Sequence, residues 1–229
     1  MSRPRSSYTL WILGLLLRGL IMLLILALCT FLVWRVFFSQ RPPRAMRTIS
    51  DNAALSAAYE ANGKTLSILE QKQVKYTEGE DNYAYIYADW CLFIREAKQV
   101  QLLLFYNDST LRHLQEDYGL ETAPAHGDAV FRVVLTQYVD VTPEGAEERV
   151  TEARAFTPVS CETGTATLYT FCRYTFDDVD VDSDTVVVYL DMYFADDPSA
   201  YGTLRLYHEE SESTVRDLQY RERKVIEQP

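Results

Sequence analysis

The sequence predicts a mainly β protein in which a single N-terminal transmembrane α-helix is followed by an antiparallel β-sandwich, immunoglobulin-like or related, with one or two short helices. Three observations lead to this fold class. Residues 8–38 form an apolar segment long enough to span a bilayer, and no other part of the chain resembles it. The remainder is rich in Tyr, Val, Ile and Thr, which favour strands. Short alternating segments separated by turn residues recur along it, as is typical of an antiparallel sandwich.

The transmembrane helix is predicted at about residues 15–38. Its only charged residues are Arg18 and Arg35, whose long side chains can reach the lipid headgroups. A cleaved signal peptide has a shorter apolar core and a small-residue cleavage site, which residues 39–43 do not provide. We therefore interpret the segment as an uncleaved signal anchor, and Cys29 within it as a packing or lipid-facing residue.

Charge divides the chain into two regions. Residues 1–47 comprise a short basic tail, the transmembrane helix and a basic spacer that contains proline, and residues 48–229 comprise an acidic sandwich domain with a charged C-terminal tail. Seven of the 22 basic residues lie in the first region, which leaves 15 basic and all 33 acidic side chains in the second, a net charge of −18. Such a surface repels nucleic acid, so we expect no nucleic-acid partner.

The orientation of the anchor depends on two opposing observations. Three arginines precede the centre of the apolar segment and four follow it, which leans slightly toward a cytoplasmic C-terminus. A folded domain of about 180 residues, however, is translocated largely regardless of its charge. We predict a single-pass protein of the cytoplasmic membrane with an extracytoplasmic C-terminal domain, and the reverse orientation stays open.

The first half of the domain is predicted to contain two helices and three strands. One helix is capped by Ser50 or Asp51 and stops at Gly63, and a strand covers residues 65–74. Residues 83–94 alternate most regularly. Their predicted core face consists of Ala84, Ile86, Ala88, Trp90, Leu92 and Ile94, and the opposite face of Tyr83, Tyr85, Tyr87, Asp89, Cys91 and Phe93. Residues 100–106 suit a central strand, and residues 111–118 suit a helix capped by Asp108 or Ser109 and ended by Gly119.

The second half is predicted to contain strands only. They cover residues 129–139, 149–156, 165–176, 186–194 and 202–207. Within residues 165–176, one side is assigned to the core and carries Leu168, Cys172, Tyr174 and Phe176. Gly164 is placed in a turn, and the charged residues 211–228 suit a helix, an edge strand or disorder.

No motif predicts a metal or cofactor site. The three histidines lack a spacing that suits zinc. The aspartates of residues 177–184 partly resemble a calcium loop, but Thr185 stands where that loop needs glycine and Asp191 where it normally has glutamate. Residues 58–65 match a loose phosphate-loop pattern with helix and strand in the wrong order, so we expect no nucleotide. A solvated acidic turn is the preferred interpretation of the aspartates, and calcium is the alternative.

The three cysteines of the domain are expected to be free thiols, mostly buried. Alternation places Cys91 and Cys172 on different faces unless a bulge intervenes. Cys161 and Cys172 flank Gly164 unequally, which puts them out of register in a simple hairpin. A disulfide is the alternative.

Five tyrosines on predicted outward positions form the candidate partner surface: Tyr83, Tyr85, Tyr87, Tyr189 and Tyr193. Such rings offer apolar area with a polar tip to a sugar or a protein. The alternative is cross-strand packing beneath a helix or the tail. The chain has no nucleophile motif, so we expect no enzymatic activity and assign no catalytic residue.

The function predicted from these patterns is a membrane-anchored, non-catalytic module that binds a protein or an envelope polymer outside the cytoplasmic membrane. Two alternatives stay open. One is an envelope-directed hydrolase that uses carboxylates, which requires a pair of buried acids. The other is an accessory subunit whose helix, including Arg18, contacts another membrane protein.

Overall fold

The computed structural model describes residues 6–39, 41–63, 65–71, 86–210 and 214–217. The chain divides into two compact units, Met1–Arg41 and Pro42–Pro229. The first contains α1 (Ser6–Ser39), of which Trp11–Arg35 is long and apolar enough to span a membrane. The predicted apolar helix is therefore present.

The second unit is mainly β, as predicted. Its elements are a 3₁₀ helix (Arg44–Met46), α2 (Ala53–Ala61), β1 (Ser67–Gln71), β2 (Ile86–Ile94), β3 (Gln99–Asn107), α3 (Asp108–Asp117), β4 (Phe131–Asp140), β5 (Thr151–Phe156), β6 (Ser160–Ala166), β7 (Tyr169–Phe176), β8 (Thr185–Phe194), β9 (Gly202–His208) and β10 (Thr214–Asp217). The strands form two antiparallel sheets, six-stranded in the order β10-β1-β2-β3-β7-β6 and four-stranded in the order β5-β4-β8-β9.

The two sheets face each other across one apolar core. Leu104 of β3 and Cys172 of β7 lie in the same buried cluster as Leu135 of β4 and Leu190 of β8. Residues 186–194 were predicted to place Val186, Val188, Leu190, Met192 and Phe194 on one core face. The last four are buried, whereas Val186 is only half-buried, beside a register shift between β4 and β8. β3 is also buried along most of its length, in agreement with its prediction as a central strand.

A β-bulge in β2 overturns part of the predicted alternation. The register with β3 shifts between Ala88 and Trp90, which leaves Asp89 without a partner on β3. An extra residue in one strand sends every later side chain to the other face. The core between the sheets therefore receives Ile86, Ala88, Cys91 and Phe93. The outer face, beneath α2, receives Trp90, Leu92 and Ile94. The prediction that alternate residues of 84–94 form a single core face is therefore wrong.

Both short helices begin at asparagines rather than at the predicted Ser or Asp residues. The Asn52 side-chain oxygen accepts the backbone N–H of Leu55 at 2.9 Å. That of Asn107 accepts the N–H groups of Ser109 and Thr110 at 2.9 and 3.1 Å. Asparagine caps as well as serine or aspartate because its amide oxygen satisfies N–H groups that lack a partner in the first turn.

β6 and β7 form a hairpin where a single strand was predicted. Leu168, predicted to be in the core, lies in the turn and is 50% exposed. Gly164, predicted in a turn, lies within β6. A Cβ atom there would lie 3.1 Å from Pro43 Cγ and 3.2 Å from Met46 Cγ. Because Gly164 has no side chain, it leaves room for the segment that precedes α2. The residues next to Gly164 in sequence do not reveal this role.

We expect Gly164→Val to lower the free energy of unfolding by about 1–3 kcal/mol, because its side chain displaces Pro43 and Met46. Intrinsic strand preference alone would predict a higher free energy of unfolding, because valine favours strands more than glycine does. Chemical denaturation of the full chain in detergent micelles measures the change. Thr151→Val, at an exposed position of β5, is the control and should change stability by less than about 0.5 kcal/mol. A Gly164→Val protein as stable as the wild type would contradict the contact.

Buried glutamines attach the segment before α2 to the outer face of the six-stranded sheet. The Gln101 amide donates to the Ser50 carbonyl at 2.8 Å and accepts the Ser50 N–H at 2.7 Å. The Gln99 amide donates to the Asn52 side chain at 3.2 Å. Both glutamines are fully buried, so these bonds replace lost water contacts.

Arg173 of β7 extends this attachment. The side chain is 5% exposed and donates to the carbonyl groups of Ala45 and Thr48 at 2.8 and 2.7 Å. It also donates to the Glu162 carboxylate at 2.6 Å, which accepts the Ser50 hydroxyl at 2.7 Å. Burial alone would raise the pKa of Glu162, but Ser50 and Arg173 outweigh it and lower the pKa below its ordinary value.

Low pH is expected to weaken the attachment of the segment before α2 to the six-stranded sheet. Because the pKa of Glu162 is lower in the folded than in the unfolded chain, its ionised form stabilises the fold above the ordinary value of 4.5. This contribution is lost as the pH falls through the folded pKa. Denaturation series at decreasing pH should therefore show a steeper loss of stability for the wild type than for Glu162→Gln. Glu152→Gln, in an exposed ion pair, controls for the lost charge, and parallel curves for wild type and Glu162→Gln would contradict the role of Glu162.

Candidate functional site

The predicted tyrosines are not all on one surface. Tyr83 and Tyr85 lie outside the described residues. Tyr87 lies on the outer face of the six-stranded sheet, whereas Tyr189 and Tyr193 lie on the outer face of the four-stranded sheet. Since the two sheets pack through their inner faces, Tyr87 and the other two point to opposite sides of the sandwich.

Tyr87 packs against its cross-strand neighbour. Its ring stacks on that of Phe105 with 5.3 Å between centroids, and Phe105 stacks on Phe171 at 5.6 Å. Phe171 is buried with Met46 of the segment before α2. Tyr87 thus extends a packed aromatic layer, which is the structural alternative that the sequence analysis left open.

The outer face of the four-stranded sheet carries a group that we name the tyrosine face, formed by Arg132, Tyr138, Tyr189, Asp191 and Tyr193. These side chains alternate with core residues along β4 and β8. The rings of Tyr138 and Tyr189 meet edge to face at 6.0 Å. The Arg132 guanidinium lies over the Tyr193 ring, 4.4 Å from its centroid. Both contacts hold rings in fixed orientations at partly exposed positions.

Asp191 occupies the position between the two predicted tyrosines of β8. Its carboxylate accepts the hydroxyl of Thr203 at 2.7 Å and that of Thr136 at 3.3 Å. Strand geometry separates Tyr189 from Tyr193 by about 14 Å, with the carboxylate between them. The tyrosine face therefore presents rings, a cation and an oriented carboxylate side by side, a combination that suits a polar ligand with apolar surfaces.

Arg132 and Tyr138 were not predicted as members of this face. Both occupy outward positions of β4, where the strand was predicted at residues 129–139, so its alternation contained the signal. The register between β4 and β8, which pairs Arg132 with Tyr193, is a tertiary property.

The acidic residues 177–184 are engaged in local contacts. Asp177 accepts the Gln99 amide at 2.7 Å, Asp180 pairs with Lys98 at 2.8 Å, and Asp182 accepts the Thr185 hydroxyl at 3.2 Å. Within the described ranges, no group of three or more His, Cys, Asp or Glu is placed to hold a metal ion. Residues 41–63 and 86–210 contain no buried Asp or Glu.

Comparison with known proteins adds no family to these observations. No protein-family model matches the chain, and no curated protein or solved structure matches it. The proposals that follow depend on the contacts, burial and charges of the described residues.

Proposed function

We propose that the protein is a single-pass membrane protein with an uncleaved signal anchor, which displays a non-catalytic binding module on the outer side of the cytoplasmic membrane. The observation that most supports this proposal is the exposure of the apolar helix. Leu23 and Leu24, for example, are 67% and 61% exposed. Leaving a leucine side chain in water costs about 1.5–3 kcal/mol relative to burial. A row of such residues therefore favours a lipid environment for α1.

The binding surface that we propose is the tyrosine face. Its rings, guanidinium and carboxylate are oriented by neighbours rather than buried, which reduces the entropy lost when a partner binds. The partner is a protein or an envelope polymer, as the sequence analysis expects. The immunoglobulin-like character of the sandwich stays a prediction.

Protease treatment of intact cells tests the topology. An antibody to the C-terminal tail follows the protein, and lysed cells give the control. We expect digestion while the cytoplasmic membrane is intact, once any outer envelope layer has been opened. Protection until that membrane is lysed would place the domain in the cytoplasm and overturn the display proposal.

Hydroxyl-radical labelling tests the binding face. The full chain in its native membrane is compared with the purified chain in detergent micelles. We expect Tyr138, Tyr189 and Tyr193 to be labelled less in the native membrane, with Val159, which is 61% exposed, labelled equally in both. Equal labelling of the three tyrosines in the two preparations would exclude a partner at this face.

The two alternative functions have weaker support. A carboxylate hydrolase needs an aligned pair of buried acids, and residues 86–210 contain no buried acid. For an accessory subunit, Gly14 and Gly19 are five positions apart rather than the four that typify close helix packing. Both alternatives stay hypotheses.

A further inference from the structure

Two cysteines are neighbours at the edge of the six-stranded sheet. The β6–β7 register pairs Cys161 with Tyr174 and Thr163 with Cys172, so the two cysteines occupy diagonal positions on adjacent strands. Directly opposite residues project from the same face of a sheet, and Tyr174 shares the inter-sheet core with Cys172. The Cys161 side chain therefore lies on the Cys172 side of the sheet, one diagonal position from it.

The environments of the two thiols differ. Cys161 is exposed and Cys172 is fully buried, with the Tyr106 hydroxyl 3.7 Å from its sulfur. The hydrogen bond from Cys172 lowers the pKa of Cys161 despite partial desolvation, and a hydrogen bond with Tyr174 acts in the same direction. The same thiol contact and burial raise the pKa of Cys172. An accessible sulfur with a lowered pKa beside a buried thiol is the arrangement found in redox-sensitive cysteine pairs.

We propose that Cys161 and Cys172 are a redox site that forms a reversible disulfide, with Cys161 as the attacking and Cys172 as the resolving cysteine. The oxidant is a low-molecular-weight disulfide such as oxidised glutathione. The Cys161 thiolate attacks one sulfur of this disulfide, forms a mixed disulfide and releases one glutathione thiolate. Cys172 then gives its proton to water, and its sulfur displaces the second glutathione thiolate from Cys161. The two cysteines lose two electrons and two protons, and the glutathione disulfide is reduced to two thiols.

The strand geometry permits this bond and excludes the alternative one. Diagonal neighbours have Cα atoms about 7–8 Å apart, whereas a disulfide needs about 4.4–6.8 Å. The backbone of the β6–β7 hairpin must therefore adjust by about 1 Å to close the bond. As the outermost strand of its sheet, β6 is hydrogen-bonded to a neighbouring strand on one side only. Cys91 and Cys172 are separated by β3, a distance of about 10 Å that a disulfide does not bridge.

Redox titration of the full chain in detergent micelles tests the proposal. The protein is equilibrated with glutathione mixtures from fully reduced to fully oxidised, quenched with acid, alkylated with N-ethylmaleimide in denaturant and digested with trypsin. Both cysteines fall in one tryptic peptide, residues 155–173, because Arg154 and Arg173 flank it. We expect this peptide to become two hydrogen atoms lighter and resistant to alkylation under oxidising conditions, reversibly with dithiothreitol. Two alkylated thiols throughout, or a glutathione adduct that never resolves, would overturn the proposal.

Three variants assign the roles. With Cys161→Ser we expect Cys172 to stay reduced, because it is buried, and this exposed substitution spares the core. With Cys172→Ser we expect Cys161 to accumulate the glutathione adduct. Cys91→Ala is the control and should still form the disulfide. Should Cys172→Ser fail to fold, the wild type and Cys161→Ser decide the matter, and oxidation of Cys172 in Cys161→Ser at the wild-type midpoint would refute the attacking role of Cys161.

Discussion

Replacement of Arg173 by leucine is expected to lower the free energy of unfolding by about 3 kcal/mol. The guanidinium satisfies the carbonyl groups of Ala45 and Thr48 and pairs with Glu162 while it is almost wholly buried. Leucine fills part of the space but supplies no hydrogen-bond donor. Two backbone carbonyl groups and the Glu162 carboxylate therefore lose their bonds to Arg173 at the same time. We also expect residues 42–50 to become accessible to limited proteolysis, since this contact holds them on the sheet.

Denaturation of the full chain in detergent micelles, followed by near-ultraviolet circular dichroism, measures this effect. Arg154→Leu is the matched control, because Arg154 pairs with Glu152 at an exposed position where both side chains are about half accessible. Exposed ion pairs contribute about 0–1 kcal/mol, so the control should remain close to the wild type. Equal stability of the two variants would show that Arg173 does not hold the segment in place.

Phe93→Ala is expected to lower the free energy of unfolding by about 4 kcal/mol. Phe93 is 1% exposed in the core between the sheets and meets the Tyr207 ring edge to face at 5.9 Å. Removal of the ring leaves a cavity bordered by strands of both sheets, which cannot collapse without moving one sheet against the other. The effect depends on the bulge at Asp89, because uninterrupted alternation would give Phe93 the same face as Tyr87.

Tyr87→Ala is therefore the informative comparison. The two residues belong to one strand and to one predicted face, but the structure separates them. Tyr87 is 37% exposed and mainly stacks on Phe105, so we expect its replacement to cost about 1 kcal/mol. The same denaturation measurement serves both variants. Similar losses for Phe93→Ala and Tyr87→Ala would indicate that β2 has no bulge and that its alternation is continuous.

The elements predicted correctly are those whose signal is local. The apolar run of α1 is read directly from composition. The strands at residues 100–106, 186–194 and 202–207 have clear apolar patterns, and the structure places β3, β8 and β9 there. The predicted first residues of the two short helices were less accurate. Asn52 and Asn107 cap these helices, but nearby Ser and Asp residues cap equally well, so the sequence did not distinguish them. The split of residues 165–176 was missed because Leu168 is apolar and fits the alternation, although it lies in the turn.

The candidate sites were only partly predictable for a related reason. Alternation identified Tyr189 and Tyr193 as outward residues. It did not reveal that Arg132 and Tyr138 contact them, because the register joins strands about 50 residues apart in sequence. The neighbouring position of Cys161 and Cys172 was likewise excluded from a simple hairpin with Gly164 at its turn. It arises because the turn falls at residues 167–168 instead, which makes the two cysteines diagonal neighbours.

The sequence by itself determined the apolar helix, the acidity of the domain and its mainly β character, because these follow from composition and short-range periodicity. Only the tertiary structure decided which residues share a face. The bulge at Asp89, the room at Gly164 for Met46, the tyrosine face and the diagonal pair of cysteines all depend on strand register and on which elements cover each sheet. Alternation with a period of two shows that successive side chains of a strand point to opposite faces of the sheet. It does not show which face is covered by other elements, or where a bulge of one residue moves the later side chains to the other face.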